Sequence, residues 1–243
     1  MNLNNFIHRH NKHDKRLGAG SRQINMDITN KCTLACETCE RQWRLKKFGG
    51  KMPGGTLALK DFVKYFEFFD HFDFCGQVSD PSMHPQFKEI IQLVNENNKS
   101  CAIHNSASHR PEKWYKEIFE ECSKSNDMIE WYFGIDGLPK DSHKYRTRQD
   151  GEKLYRMMKM ATQYIKPTNI KWKYIVFNYN QYNIEECKQM AADIGIVFNL
   201  VMSRRHPPGL RPDEKFTATV PMDNTMYYPT GKTKRWNTQW YKK

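Results

Sequence analysis

Apolar residues recur along the chain in two alternating rhythms, and their alternation sets the expected fold. Period-two stretches predict strands. The first runs from about Gln23 to Thr29, with Ile24, Met26 and Ile28 on one face. Others lie near Phe72 to Cys75, Ser100 to His104, Ile129 to Ile135, Lys171 to Phe177 and Ile196 to Met202. Between them the period lengthens to that of an amphipathic helix. One helical face takes Leu59, Phe62, Val63, Phe66 and Phe69, a second Phe87, Ile90, Ile91 and Val94. A third begins after Pro111 and uses Trp114, Ile118 and Cys122. Leu154, Met157, Met158, Ala161 and Ile165 form a fourth stripe, stopped by Pro167. Ile184, Cys187, Ala191 and Ile194 form a fifth, which Gly195 ends. Six strands alternating with helices predict parallel strands joined by right-handed crossovers. The expected class is α/β: a partial (β/α)6 TIM-like barrel over residues 22–203.

Outside that body the pattern fades. Residues 1–21 read as a short basic arm. Residues 204–243 read as an irregular, proline-broken extension that interleaves cations with Phe216, Tyr227, Tyr228, Trp236, Trp240 and Tyr241. The net charge of +12 collects in these ends. Arg9, Lys12, Lys15, Arg16 and Arg22 face only Asp14, and nine cations of the extension face Asp213, Glu214 and Asp223. The body between is nearly neutral. Such ends suit nucleic acid, an acidic peptide or an acidic electron-transfer protein, or are simply solvated. No apolar run approaches membrane-spanning length, and Met1 to His13 contains no secretory-type apolar segment. His8, His10 and His13 belong to the solvated arm.

The chemistry gathers after the first strand. Three of the seven cysteines, Cys32, Cys36 and Cys39, fall at C-x3-C-x2-C spacing. Thiols this close point to metal in a reducing compartment, and so to the cytoplasm. A structural zinc site needs four ligands, but the next histidine is His71 and the next cysteine Cys75. Three thiolates suit a [4Fe–4S] cluster with one iron left open. Cys75, Cys101, Cys122 and Cys187 stand alone and read as small buried hydrophobes. In barrels of this kind, function sits at the C-terminal ends of the strands. There the sequence places Cys75-Gly76-Gln77-Val78-Ser79-Asp80-Pro81, His104-Asn105-Ser106, Asp136-Gly137 with Tyr145-Arg146, Asn178 with Asn180, and Ser203-Arg204.

The cysteine stretch resembles the signature of the radical S-adenosylmethionine (radical SAM) superfamily. That family often has an aromatic residue before the third cysteine, packed on adenine; this chain has Thr38, so part of that contact must come from elsewhere. Gly76, Ser79 and Asp80 resemble a degraded Gly-Gly-Glu-Pro motif, which receives the SAM amino group; an acid beside an ammonium suits that task. Asn105-Ser106 resembles the polar pair near the ribose or methionine part. Asp136-Gly137 with Tyr145-Arg146 resembles the peptide-modifying, SPASM-type branch, where the arginine pairs with the SAM carboxylate. Asn180 belongs to the same rim. No cysteine follows Cys187, so auxiliary clusters are not expected.

The resemblance implies two cofactors, a [4Fe–4S] cluster and SAM, and reductive cleavage of SAM to a 5′-deoxyadenosyl radical. The expected substrate is a peptide or protein, with a small molecule, a nucleotide or RNA as alternatives. RNA would meet the basic aromatic extension. A flavodoxin or ferredoxin is the expected electron donor. An iron–sulfur electron carrier or sensor is the non-enzymatic alternative.

Overall fold

Each expected strand forms, with its ends moved by one to a few residues. In the computed structural model, which describes residues 22–236 apart from 204–205, 208, 218 and 220–223, they are β1 (Gln23–Asn25), β2 (His71–Phe74), β3 (Ser100–Asn105), β4 (Ile129–Gly134), β5 (Ile170–Ile175) and β6 (Val197–Val201). All pair in parallel and in sequence order. The helices α1 (Glu40–Lys47), α2 (Leu59–Phe62), α3 (Phe87–Glu96), α4 (Glu112–Cys122), α5 (Gly151–Ala161) and α6 (Ile184–Asp193) connect them.

Three local expectations fail for physical reasons. Val63 is exposed rather than inward, because α2 gives way to a 3-10 turn, Val63–Glu67, whose tighter period rotates it outward. Helix α1 buries no side chain and leaves no apolar stripe, so periodicity does not reveal it. The extension is partly regular: after a short helix, α7 (Glu214–Thr217), the chain adds β7 (Asn224–Tyr227) antiparallel to β6, and β8 (Thr233–Trp236) antiparallel to β7. The turn between them uses Gly231 at φ +82. The basic arm with its three histidines, Arg204, Trp240 and Tyr241 lie outside the described residues. No described helix is long and apolar enough to cross a membrane.

The two faces of the sheet differ in chemistry. One face presents Phe72, Phe74, Trp131, Phe133, Trp172, Tyr174 and Phe198 to the helices, all fully buried. Ring contacts such as Phe119–Trp131 at 5.0 Å and Trp172–Phe198 at 5.9 Å lock that layer. The alternate residues point the other way. Gln23, His71, Asp73, Ala102, His104, Glu130, Tyr132, Asn199, Asn224 and Met226 line one hollow of about 360 Å³. Gln23 lies on the first strand and Met226 on the seventh, so the sheet curls around a lumen. A filled barrel places layers of branched aliphatic side chains here; this one places polar groups.

Two histidines, His84 buried and His104 largely so, give the fold a pH dependence. His84 accepts from Gln86 N at 3.1 Å through Nδ1, which leaves Nε2–H to donate to Leu57 O at 2.8 Å, so the ring is neutral. Burial holds both His84 and His104 below the ordinary imidazole range. The unfolded chain then binds more protons, and stability is lost as pH falls through about 6.5. The urea unfolding midpoint is expected to be lower at about pH 5.5 than at about pH 7.5. Equal midpoints would contradict the assignment of buried neutral imidazoles.

Candidate active site

The rim of the sheet is built from loops that staple one another. Arg41, at the start of α1, donates to Asn30 O at 2.5 Å and Val78 O at 3.0 Å, joining the cysteine loop to the loop after β2. Ala35 N donates to Thr147 O at 3.2 Å, joining it to the β4–α5 connection. Within the loop, Cys39 N closes a turn on Cys36 O, and Leu34 N donates to Cys32 Sγ at 3.4 Å.

Cys32, Cys36 and Cys39 are all free thiols. They gather around buried Leu34 and Ala107, beside Tyr145. Burial pushes the Cys32 thiol up to about 12 and the Cys36 thiol up to about 11; Arg146 works in the opposite direction on Cys36. No three His, Cys, Asp or Glu side chains among the described residues converge tightly enough to hold a single metal ion. Three thiols beside one small apolar cluster, Cys36 buried and Cys32 and Cys39 partly so, suit a cluster in which each would ligate a different iron.

Asp80 is a hub. Its buried carboxylate accepts from Ser82 N and Oγ, from Asn105 Nδ2 at 3.1 Å, and from Ser106 N and Ala107 N, both at 2.7 Å. Its own N–H donates to Lys31 O at 3.0 Å. These bonds tie together three loops and leave Asp80 as a brace, its oxygens engaged by protein donors. Ser79 Oγ donates to Asp27 Oδ1 at 2.5 Å. The preceding turn needs glycine: Gly76 has φ +57, and a methyl there would overlap the Ser79 carbonyl oxygen.

Arg146 crosses above β4 where Gly134 leaves room. Its Nη1 donates to Ser106 Oγ at 3.0 Å, and its Nε lies 2.7 Å from Asp136 Oδ2, without the alignment of a hydrogen bond. Asp136 is fully buried and accepts from Ile175 N at 2.7 Å. Burial raises its proton affinity, against the pull of Arg146. Asn180 is consumed locally: Oδ1 accepts from Phe177 N and Nδ2 donates to Ile175 O, which fixes the loop after β5.

Tyr145, expected at the rim, meets Thr38 there, and three further rim residues lie outside the sequence expectations. Thr38 Oγ1 lies 3.0 Å from Tyr145 Oη, and the Tyr145 ring packs 4.3 Å from that of Phe177. Tyr145 therefore brings an aromatic ring to the position beside the third cysteine. Gln149 donates to Ser106 O at 2.7 Å and Gly134 O at 2.8 Å, and Arg41 and Asp27 brace neighbouring loops. Nothing in the spacing of Gln149, Arg41 and Asp27 marks them, since their partners are remote in the chain.

No protein-family model matches the sequence. A tungsten-containing aldehyde ferredoxin oxidoreductase cofactor-modifying protein from Pyrococcus furiosus is 24% identical over 120 residues, 47% of this chain and 30% of that protein. Streptococcus suis SuiB bound to S-adenosylmethionine is similar in structure at TM-score 0.62 and 13% identity, over 79% of this chain and 44% of SuiB. SuiB bound to its precursor peptide SuiA matches at TM-score 0.58 and 13% identity, over 81% and 43%. A tagged anSMEcpe with bound AdoMet matches at TM-score 0.53 and 14% identity, over 73% and 48%. The chain spans less than half the length of each of these proteins. At these identities the likeness shows the fold, the partial barrel expected above.

Gly134 tests the rim. A methyl there would overlap Ser106 Oγ and lie 3.0 Å from Arg146 Nη2. Gly134→Ala is expected to push Arg146 off Ser106 and to lower stability by about 1–3 kcal/mol in urea unfolding. Wild-type stability would show that Arg146 is not held this way.

Proposed function

We propose that this chain, which has the fold of radical SAM enzymes, is itself one and modifies a peptide or protein. The observation that carries the reading is the gathering on one rim of three free thiols, a buried arginine and a braced glycine turn. Cys32, Cys36 and Cys39 would each hold one iron of a [4Fe–4S] cluster. Bound there together with SAM, that cluster would supply reductive cleavage of SAM to a 5′-deoxyadenosyl radical.

The protein's part is placement. Arg146 keeps its charge at any physiological pH and presents a planar fork beside Ser106, suited to the SAM carboxylate. The Gly76–Ser79 turn and Ser106 would face the rest of the methionine part. Tyr145 would supply the adenine contact that Thr38 cannot. Asp80, Asn105, Asp136 and Asn180 keep these loops in register through the bonds described above. Leu34 and Ala107 give the thiols an apolar wall.

A peptide substrate is supported by the likeness to SuiB, which binds a precursor peptide. The electron donor, a flavodoxin or ferredoxin, finds a suitable face on α1, which starts directly after Cys39. That helix leaves Trp43 exposed, stacks Lys47 over it at 4.8 Å, and adds Arg44 and Lys46 in its last turn. Charge complementarity steers such encounters.

The test is anaerobic reconstitution with iron and sulfide, followed by SAM and dithionite. The wild type is expected to form 5′-deoxyadenosine and methionine, and Cys36→Ala to form neither. Product from Cys36→Ala at the wild-type level would overturn the proposal.

A further inference from the structure

The sheet ends on an edge that neither the rim nor the hollow uses. β8 is the last of the eight strands, and among the described residues no strand pairs with its outer side. Its pairing with β7 decides which backbone groups face outward. Tyr228 N donates to Lys232 O at 2.9 Å, which makes these two a hydrogen-bonded pair. Such pairs alternate along an antiparallel ladder. The backbone of Lys234 therefore bonds back to Met226 and that of Trp236 to Asn224, while Thr233 and Arg235 turn their N–H and C=O groups away from the sheet. A row of this kind is a template for one more strand.

The edge carries one sign of charge. Lys232, Lys234 and Arg235 are all exposed, and residues 224–236 contain no Asp or Glu. Met226, opposite Lys234, lines the hollow, whereas Tyr227 packs 6.3 Å from Phe198 in the helix-side layer. Residues alternate across a strand, so Lys234 projects on the hollow side and Arg235 on the helix side. A strand laid here meets cations on both of its faces. A second copy of β8 would set cation against cation, which disfavours self-pairing. A nucleic acid would satisfy the cations and the N–H groups and leave the outward carbonyls unmatched. An acidic peptide in extended form answers the charges, the N–H groups and the carbonyls together.

Strand direction links this edge to the rim. β7 is antiparallel to both of its neighbours, so β8 runs with the parallel strands toward the rim. Its last residue stands opposite Asn224, whose Oδ1 accepts from Met202 N at 3.2 Å just past the end of β6. β1 forms the other edge of the same sheet and leads into the cysteine loop. We infer that the outer edge of β8 is a docking strand for an acidic, extended segment of the substrate polypeptide, paired with Thr233 and Arg235. One end of such a segment emerges at the level of the rim. As a statement about substrate, the inference rests on the peptide or protein substrate proposed for the rim.

The test reads binding without turnover. Fluorescence anisotropy on the reconstituted full chain, without SAM or reductant, would compare a labelled VEEVEEV peptide with VKKVKKV, with VEEVEEV N-methylated at every glutamate, and with oligouridylate. The methylated peptide keeps its charge and loses donors from both of its edges. VEEVEEV is expected to bind about fivefold tighter than the methylated or the lysine peptide. Lys232→Glu combined with Arg235→Glu should reverse the preference toward VKKVKKV. Thr233→Pro changes the first residue of the strand, where it removes one outward N–H but no ladder bond and no charge, and should weaken VEEVEEV about threefold. Equal binding of the parent and methylated peptides, no binding of either, an unreversed preference in the folded charge variant, or oligouridylate binding more tightly than VEEVEEV would overturn the inference. Circular dichroism of each variant separates lost binding from lost fold, and the methylated peptide on the wild type decides if neither variant folds. SAM cleavage is scored separately. Absent 5′-deoxyadenosine with the peptide preference intact fails the radical SAM reading alone, and a lost preference with 5′-deoxyadenosine still formed fails the docking edge alone.

Discussion

The structure depends on a strict division of labour between alternate residues of each strand. Period two sends His71, Asp73, His104, Glu130 and Lys173 to one side and Phe72, Phe74, Trp131 and Trp172 to the other. The aromatic side meets the helices and supplies the burial that stabilises the fold. That leaves the inner side free of the usual duty of filling a core. A one-residue slip in any strand would exchange the two sets and place charges among the helices. The lumen can therefore be polar only because register is held by the outer face.

At the rim the same economy appears in the loops. Asp80 draws backbone N–H groups from the loop after β3, while its own N–H reaches back to the cysteine loop. A carboxylate with this many donors is costly to remove and rigid to keep. Arg41 and Asp27 repeat the device on either side. The thiols sit in a frame whose stiffness comes from polar contacts, above a body whose stiffness comes from apolar ones.

How much of this was legible in the sequence follows from the range of each interaction. The six parallel strands and most helices were readable because periodicity is local. The gathering of Cys32, Cys36 and Cys39 was readable because their spacing is local too. Helix α1 escaped because it has no buried face, and the β7–β8 hairpin escaped because prolines and cations obscured two short strands. Gln149 and Arg41 were invisible, since each acts through partners on other loops. The sharpest lesson concerns the strands themselves: the polar alternates in His71-Phe72-Asp73-Phe74 and Ile170-Lys171-Trp172-Lys173 already spell a hollow interior, yet reading only their apolar members conceals it. Asp80 shows the converse. Its acidity suggested a contact with a ligand, and in the fold its oxygens meet donors from the neighbouring loops.

The bond between Thr38 and Tyr145 spans 107 positions, and the Ala35–Thr147 bond beside it is comparably distant. Synthesis runs from the amino end, so the three thiols leave the ribosome long before the residues that complete their loop. Until the β4–α5 connection has been made, nothing fixes that loop from its far side. The cysteine loop is accordingly finished late in the life of the chain, and the interval before that is when these thiols stand most open to oxidation.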